Sequence, residues 1–306
     1  MLTIGSRGSQ LALWQAHWIQ ARLEEAGEQS RIEIIKTTGD KIADVALAQV
    51  GTKGLFTKEI EEALLAGSID LAVHSLKDMP TDLPDGLILA AIPEREDPRD
   101  ALIGRAFEEL APGARIGTGS LRRAAQLRAR RADLRIEDIR GNVDTRLRKL
   151  DEGRYDAIVL ASAGLRRLGW EDRITEVFNP SVMCPAVGQG ALAVETRDDG
   201  GHAFQIAGRL EHAATRAAIT AERAVLASLG GGCQAPIGAH AYINEETLYV
   251  IGLIVSPDGT QLIRQAKHGP VRDAAALGDA LAEHLLYSGG KQILDAVYAQ
   301  SAEPQA

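Results

Sequence analysis

The chain has 306 residues, of which 45% are hydrophobic and 25% charged, and its net charge is −8. This length predicts two or three domains, and the acidic balance disfavours non-specific binding to nucleic acid. Aromatic residues make up 4% of the chain, so side chains on which bases could stack are scarce. No apolar run reaches the length of a membrane span, so no membrane association is expected.

The N-terminal segment and the cysteines indicate the compartment. Met1 to Arg7 contains no basic-then-apolar leader, so we expect a cytoplasmic protein. In that compartment Cys184 and Cys233 are expected to be reduced thiols. The seven histidines and two cysteines show no spacing typical of metal ligands, so no metal site is expected.

The chain begins with a predicted strand, a glycine turn and a helix. Leu2 to Ile4 form the strand, and Ser9 is a candidate N-cap for a helix that ends near Glu25. Arg7 therefore precedes a helix N-terminus, where backbone N–H groups favour anions. The following segment, 38–56, is rich in glycine and weakly periodic, which is typical of a lid or binding loop, with plain disorder as the alternative.

A buried strand at 69–73 ends in a cluster of polar residues. His74, Ser75, Lys77 and Asp78 follow it directly, before Pro80. Ligands of α/β sheets bind at the carboxyl ends of strands, so Asp78 beside Lys77 is a candidate acid/base or stabiliser of a cation. The alternative is an ordinary strand end that continues as a solvated loop.

A second unit begins near Glu94, after which a charged, proline-containing stretch up to Asp100 is typical of a domain boundary. Further on, Gly117-Thr118-Gly119-Ser120 precedes a predicted helix with Arg122 and Arg123 in its first turn. Positive side chains are unfavourable at a helix N-terminus unless an anion binds there, so an anion site is predicted. A capped helix with solvated arginines is the alternative.

The two halves of this region resemble each other. The stretches 66–73 and 152–159 share the order helix end, glycine, spacer, aspartate and buried strand. We therefore predict two similar α/β lobes with mainly parallel sheets and a ligand cleft between them. A strand at 191–195 could return to the first lobe.

From about residue 210 the pattern predicts a small α+β domain. A helix at 211–229 is broken by glycines at 230–232, a hairpin spans 242–255, and two helices follow at 273–288 and 291–298. The predicted domains are 1–93 with 191–209, 94–190, and 210–306. Cys233 lies on the triple-glycine break, which favours reactivity, whereas Cys184 is expected to be a buried small hydrophobe.

Several arginines lie at predicted element ends near glycines. Arginine binds carboxylates with two parallel hydrogen bonds, so such positions around one cleft imply a ligand with many carboxylates. The arginines are Arg7, Arg122, Arg123, Arg140, Arg146 and Arg167.

With these motifs in place, the chain resembles the porphobilinogen deaminase (hydroxymethylbilane synthase) family over nearly its whole length. Together the motifs are highly specific, although each alone would be weak. They are Arg7 with Leu11 to Gln15, Lys53 to Phe56, Val73 to Pro80, Glu94 to Asp100, Gly117 to Arg123, Arg140 to Val143, Pro185 to Gly190 and Gly231 to Gly238.

The resemblance implies the fold and the reaction. The family has two periplasmic-binding-protein-like lobes and a third α+β domain, in agreement with the lobes predicted above. Its members, which are transferases, join four porphobilinogen molecules head to tail with loss of ammonia, and water then releases linear hydroxymethylbilane. The chain grows on a dipyrromethane cofactor bound by a thioether to the cysteine that matches Cys233. The resemblance also implies a monomer whose product passes to uroporphyrinogen-III synthase.

The resemblance further implies roles for individual residues. Asp78 would be catalytic, assisting deamination and stabilising the azafulvenium cation that the next pyrrole attacks. The residues implied to hold the cofactor are Cys233, Ser75, Lys77, Asp78, Thr118, Ser120, Arg122, Arg123, Arg140 and Gly141. The residues implied to bind substrate are Arg7, Gln15, Lys53, Phe56, Arg140, Arg146, Arg167 and Gln189.

Two positions depart from the family pattern. Gln49 stands where some relatives carry a basic residue on the lid, and Gly119 replaces a serine. Two other functions are weighed against the enzyme: a two-lobed receptor for a polycarboxylate, which the third domain disfavours, and an RNA-binding protein that uses the arginine clusters.

Overall fold

The computed structural model describes residues 1–41, 56–231 and 235–302, which form three sheets with flanking helices. The strands are β1 (Leu2–Ser6), β2 (Ser30–Ile34), β3 (Leu71–Ser75), β4 (Leu87–Ala91), β5 (Asp100–Gly104), β6 (Arg115–Gly117), β7 (Arg135–Glu137), β8 (Ala157–Ala161), β9 (Glu176–Val177), β10 (Leu192–Arg197), β11 (Ile237–Asn244), β12 (Thr247–Val255) and β13 (Leu262–Pro270). The helices are α1 (Gln10–Glu25), α2 (Thr38–Lys41), α3 (Lys58–Leu65), α4 (Leu121–Arg130), α5 (Val143–Asp151), α6 (Ser162–Arg167), α7 (His202–Gly208), α8 (Ala213–Ser228), α9 (Ala274–Leu285) and α10 (Lys291–Ala302).

The first two sheets have the same topology. Their strand orders are β2-β1-β3-β10-β4 and β7-β6-β8-β5-β9. In each sheet the first three strands are parallel, and the fourth, β10 or β5, is antiparallel to both of its neighbours. The two α/β lobes predicted from the sequence are thus confirmed.

Each sheet is mixed, whereas the sequence predicts mainly parallel sheets. Each reversed strand is the first strand along the chain after it crosses from one lobe to the other, from β4 to β5 and from β9 to β10. Because the chain enters each lobe from the other, it inserts one strand in the opposite direction. The predicted strand at 191–195 corresponds to β10 and lies in the first sheet, while the exact domain bounds remain a prediction.

The two crossing segments contact each other closely. Gly190 has φ +88°, and a Cβ atom there would lie 2.4 Å from the Glu96 carbonyl oxygen. The Glu96 N–H donates to the Gly190 carbonyl at 3.2 Å. Only glycine avoids both the backbone strain and the clash, so this residue, which lines the cleft, lets the two crossing segments pack closely.

The apolar residues of the central strands explain why the sheets are covered by helices. Leu71, Ala72 and Val73 of β3 are all buried, as expected for a central strand of a sheet that is covered on both faces. Helices α1 and α3 pack against this strand, and α5 and α6 pack against β8.

The third domain packs helices α8, α9 and α10 onto the antiparallel sheet β11-β12-β13. The predicted hairpin is confirmed as β11 and β12, and the predicted helices correspond to α8, α9 and α10 with shifted bounds. A membrane-crossing helix, long and apolar, is not found in the described part of the chain.

Candidate functional site

A cleft of about 580 Å³ lies between the two α/β lobes. Loops that follow the carboxyl ends of β1, β3, β7 and β8 line it, and ligands of such sheets bind at these strand ends. Among the described residues, seven cationic side chains and two carboxylates line it. They are Arg7, Lys77, Arg123, Arg140, Arg146, Lys149, Arg167, Asp78 and Asp144.

Lys77 and Asp78 lie on a short 3₁₀ turn, Leu76–Asp78, at the end of β3. The turn is anchored by buried Leu76, whose N–H donates to the Ala191 carbonyl at 3.0 Å. Asp78 is exposed to the cleft and Lys77 is half-buried. Within the described residues, no hydrogen bond of either side chain is found. These two charged groups are therefore available to a ligand.

The pKa of Lys77 is lowered to about 8, because burial penalises its ammonium. The nearby carboxylate of Asp78 opposes this shift, while the guanidinium of Arg123 adds to it. A ligand carboxylate would relieve both the burial and the repulsion, so the site favours an anion.

Gln15 and Ser75 join α1 to the end of β3. The Gln15 Nε2 donates to the Ser75 hydroxyl at 2.9 Å. Nearby, the Arg7 guanidinium lies 4.2 Å from the centre of the Phe56 ring. All four residues were predicted from the sequence, and all four line the cleft.

The second lobe contributes Arg140 and Arg146. The Arg140 Nε donates to the Asp138 carboxylate at 2.6 Å, and the Arg146 Nε donates to the Gly141 carbonyl at 2.8 Å. Burial and the neighbouring guanidiniums of Arg123 and Arg140 lower the pKa of Arg146 to about 10. An unbalanced positive charge of this kind is stabilised by a bound carboxylate.

Lys149 was not predicted, although it lines the cleft. Its ammonium donates to the Arg140 carbonyl at 3.0 Å. Its position three residues after Arg146 on α5 places both side chains on one face of the helix, and this spacing was the available signal.

Arg167 lies at the end of α6, where the cleft meets α1. Its guanidinium donates to the Gly190 carbonyl at 2.7 Å and lies 5.8 Å from the centre of the Trp14 ring. Burial lowers the pKa of Arg167 to about 10.

Asp100 is the central residue that sequence reasoning missed. It is fully buried and accepts hydrogen bonds from Arg122, Arg123 and Gln189. Although burial alone would raise the pKa of Asp100, the two guanidiniums lower it to about 2. Nothing in the sequence distinguishes it from the other acidic residues of the crossing segment.

Arg122 and Gln189 lie behind the cleft and do not line it. Arg122 is held by Asp100 and by the Cys184 carbonyl, which its Nη1 contacts at 2.6 Å. Gln189 donates to the Pro98 carbonyl at 2.7 Å and accepts from Arg123 at 3.2 Å. Their predicted ligand contacts remain predictions.

Thr118 and Ser120 also lie outside the cleft lining and shape the start of α4. The Ser120 hydroxyl accepts from the backbone N–H of Arg123 at 3.4 Å and thus caps the helix. The Thr118 hydroxyl accepts from the backbone N–H of Ser120 at 3.2 Å. Lys53, Cys233, Gln49 and most of the predicted lid at 38–56 lie outside the described residues.

Two family models match the chain. "Porphobilinogen deaminase, dipyromethane cofactor binding domain" matches residues 2–204, and "Porphobilinogen deaminase, C-terminal domain" matches residues 216–287. The chain belongs to the porphobilinogen deaminase family. The family, the activity in tetrapyrrole biosynthesis and the dipyrromethane cofactor predicted from the sequence are thereby confirmed, and porphobilinogen is the substrate that the family implies.

Curated relatives agree over nearly the whole length. The chain is 54% identical over 301 residues to a porphobilinogen deaminase of Trichlorobacter lovleyi, covering 97% of this chain and 96% of the relative. It is 52% identical over 311 residues to a porphobilinogen deaminase of Gloeobacter violaceus, covering 98% and 95%. Membership of an enzyme family sets aside the receptor and RNA-binding alternatives.

The solved structures that resemble the chain are distant from it in sequence. A periplasmic substrate-binding protein of an ABC transporter from Coxiella burnetii is 14% identical with a TM-score of 0.43, covering 69% of this chain and 92% of that one. The L-cystine solute receptor of Neisseria gonorrhoeae is 12% identical with a TM-score of 0.38, covering 68% and 84%. Neither value supports a functional comparison.

Proposed function

We propose that the cleft carries out the porphobilinogen deaminase reaction with Asp78 as its catalytic carboxylate. The observation that carries this proposal is the placement of an exposed Asp78, on a turn anchored by buried Leu76, inside a cleft whose described lining holds seven cations. Both Lys77 and Arg146 interact electrostatically with it. A carboxylate in this setting can accept pyrrole N–H groups and stabilise positive charge on the substrate as ammonia leaves.

The cations bind the acid arms of the pyrroles. Each porphobilinogen carries an acetate and a propionate, and arginine recognises carboxylates in a fixed geometry. We assign Arg7, Arg140, Arg146 and Arg167 to the substrate, together with Gln15, Phe56 and Lys53. Positioning by several such contacts holds the reacting carbon beside Asp78, which is itself a large part of catalysis.

The residues of the cleft fit the dipyrromethane cofactor. It is a polycarboxylate with ring N–H groups, and among the residues that the structure describes the lining offers seven cations and two carboxylates. When bound, the cofactor supplies the pyrrole carbon on which the chain grows. We assign Ser75, Lys77, Asp78, Arg123, Arg140 and Gly141 to direct contacts with it.

Arg122 and Gln189 are proposed to act through Arg123. All three surround Asp100, so the fixed carboxylate and the amide hold the Arg123 guanidinium at the edge of the cleft. Ser120 and Thr118 support the same side chain by capping the first turn of α4.

Cys233 is the proposed attachment point of the cofactor. Cys184 is buried, and burial raises the pKa of its thiol to about 12, so it forms almost no thiolate at neutral pH. A buried thiol of this kind is a poor nucleophile, which leaves Cys233 as the reactive one.

We also propose that the protein acts as a cytoplasmic monomer and that its product passes to uroporphyrinogen-III synthase. Family membership supports this proposal.

Substitution of Asp78 tests the proposed function. Asp78→Asn removes the charge that stabilises the cationic substrate, so kcat should fall by about 10²–10⁴-fold. The thermal unfolding transition should stay nearly unchanged, because Asp78 is exposed. The matched control is Asp144→Asn, which removes the other carboxylate of the cleft and should leave kcat within about threefold. Parental kcat in Asp78→Asn would exclude the assignment.

A further inference from the structure

A second cavity of about 570 Å³ lies beside the cleft, between α1 of the first lobe and the end of α6 in the second. We call this cavity the Trp14 groove. Gln10, Arg167 and Leu168 line both the groove and the cleft, so the two cavities adjoin. The groove is otherwise lined by Leu13, Trp14, His17, Arg166 and Gly169.

The groove has the chemistry of a site for aromatic acids. Two guanidiniums and an imidazole face it, and no acidic residue is among the described residues of its lining. The Arg167 guanidinium lies over the Trp14 indole, 5.8 Å from the ring centre, and the indole offers an aromatic surface against which an electron-rich ring can pack.

Arg166 can turn to a ligand at little cost. Its guanidinium lies 3.6 Å from the Asp97 carboxylate, and its side chain is 43% exposed. Arg99 holds that same carboxylate at 2.8 Å, so Asp97 keeps a partner when Arg166 leaves it. Arg166 also donates from its Nε to the Ser162 hydroxyl at 3.3 Å. Long contacts made by an exposed side chain contribute little to stability, so Arg166 can exchange both for a ligand carboxylate.

Elongation needs more room than the described part of the cleft provides. Four substrate units added to a two-ring cofactor make six rings with twelve carboxylates. Two such rings already make a drug-sized molecule, and molecules of that size fill pockets of roughly 300–1,000 Å³. The cleft measures about 580 Å³, and its catalytic carboxylate is fixed on the turn after β3. Rings added earlier must therefore leave the neighbourhood of Asp78.

We propose that the Trp14 groove receives the earlier rings of the growing chain. Arg166 and His17 bind their carboxylates, and Trp14 provides an aromatic surface for a pyrrole ring. Arg167 lies where the two cavities meet and can hold a carboxylate at the passage between them. This inference rests on the proposed function of the cleft, which performs every addition, and it assigns the groove to the later additions alone.

Two variants test the groove by different means. Arg166→Gln removes a cation, and His17→Trp fills the space while leaving both arginines. Arg154→Gln is the matched control, because Arg154 is 58% exposed in the same lobe and lines neither cavity. Each holoenzyme is mixed with limiting porphobilinogen, and the masses of its covalent forms are recorded over time.

Both groove variants should add the first substrate unit at the parental rate within about twofold. Loss of a charge-assisted contact should then slow the third and fourth additions about tenfold, so that forms with two added units accumulate. The Arg154→Gln holoenzyme should show the parental series of masses.

Hydrogen exchange gives a readout that is independent of turnover. In the parent, amides of residues 162–169 should become protected when two or more units are attached, and this protection should be absent in His17→Trp. An unchanged series of masses in both groove variants, or protection that never appears in the parent, would overturn the role of the groove. Failure of the parent to add even one unit would instead overturn the proposed function and the groove with it.

Discussion

Lys77 illustrates how a ligand site stores an unfavourable charge. Its pKa is about 8 in the folded protein, well below the ordinary value for lysine, because burial and Arg123 act against the ammonium. A bound carboxylate removes that penalty, so the unfavourable charge of Lys77 increases the affinity of the cleft for an anion.

Stability should depend on pH through Lys77. Between pH 8 and about 10.4 the unfolded chain binds more protons at this residue than the folded chain, so the free energy of unfolding rises with pH across that window. The test compares the urea unfolding of Cys233→Ser with that of the double variant Cys233→Ser/Lys77→Met, both without cofactor. The double variant should have the larger free energy of unfolding at pH 7, and the difference between the two should be smaller at pH 10. Because Lys77 is only half-buried, the effect should be smaller than its pKa shift alone implies. A difference that stays constant over this range would contradict the account.

At the scale of elements, buried ion pairs join the start of β5 to the start of α4. Asp100, the first residue of β5, pairs with Arg122 and Arg123 in the first turn of the helix. The unfavourable arginines at this helix N-terminus are thus balanced by a carboxylate of the protein itself. The sequence predicts a bound anion at this helix N-terminus, and for Arg122 the anion is the Asp100 carboxylate of the protein itself.

Asp100→Asn should therefore destabilise the protein by about 3–5 kcal/mol at pH 7, since two buried guanidiniums lose their counter-ion. The pKa of Asp100 is lowered to about 2, so its contribution is present above about pH 4 and is lost as the pH falls from 4 to 2. Urea unfolding at pH 7 and pH 3 should show a smaller difference between variant and parent at the lower pH.

A matched control is Asp133→Asn, which breaks an exposed ion pair with Arg131 at 2.7 Å. Exposed pairs contribute little to stability, so this variant should stay close to the parent at pH 7. Equal losses in Asp100→Asn and Asp133→Asn would show that burial of the first pair is unimportant.

At the scale of the whole molecule, Glu222 joins the third domain to both crossing segments. This buried carboxylate on α8 accepts from Arg95 at 2.6 Å, from the Gly188 N–H at 2.8 Å and from the Ala241 N–H at 2.8 Å. The Arg95 guanidinium and the neighbouring His240 ring lower the pKa of Glu222 to about 2 against the effect of burial. The domain proposed to carry the cofactor is therefore tied to the segments that separate the lobes.

Glu222→Gln should lower the free energy of unfolding by about 3–5 kcal/mol, because Arg95 would be left buried without its partner. In calorimetry the third domain should then unfold in a transition of its own, ahead of the lobes. Glu283→Gln, at an exposed position on α9, is the control and should keep the parental transition. A single unshifted transition in Glu222→Gln would contradict this role.

The sequence predicted the lobes because their signals are local. The repeat at 66–73 and 152–159 and the cluster after β3 depend on neighbours along the chain, and β3, β8 and the cleft follow from them. The reversed strands β5 and β10 could not be predicted in the same way, because their direction depends on how the chain crosses between lobes.

The site shows the same division between local and distant signals. The predicted arginines Arg7, Arg123, Arg140, Arg146 and Arg167 all line the cleft, since glycine turns at strand ends mark such positions. Arg122 points away because Asp100, 22 residues earlier in the chain, pairs with it. Pairings across that distance are set by tertiary packing, which periodicity and composition do not encode.

The intact mass of the purified protein tests the central claim most directly. We predict that the parent and Cys184→Ser exceed the mass computed from their sequences by one dipyrromethane, and that Cys233→Ser shows its sequence mass alone. Sequence mass in the parent, or cofactor mass retained in Cys233→Ser, would contradict an account in which a cleft of cations and one catalytic carboxylate works on an acidic oligopyrrole attached to that cysteine.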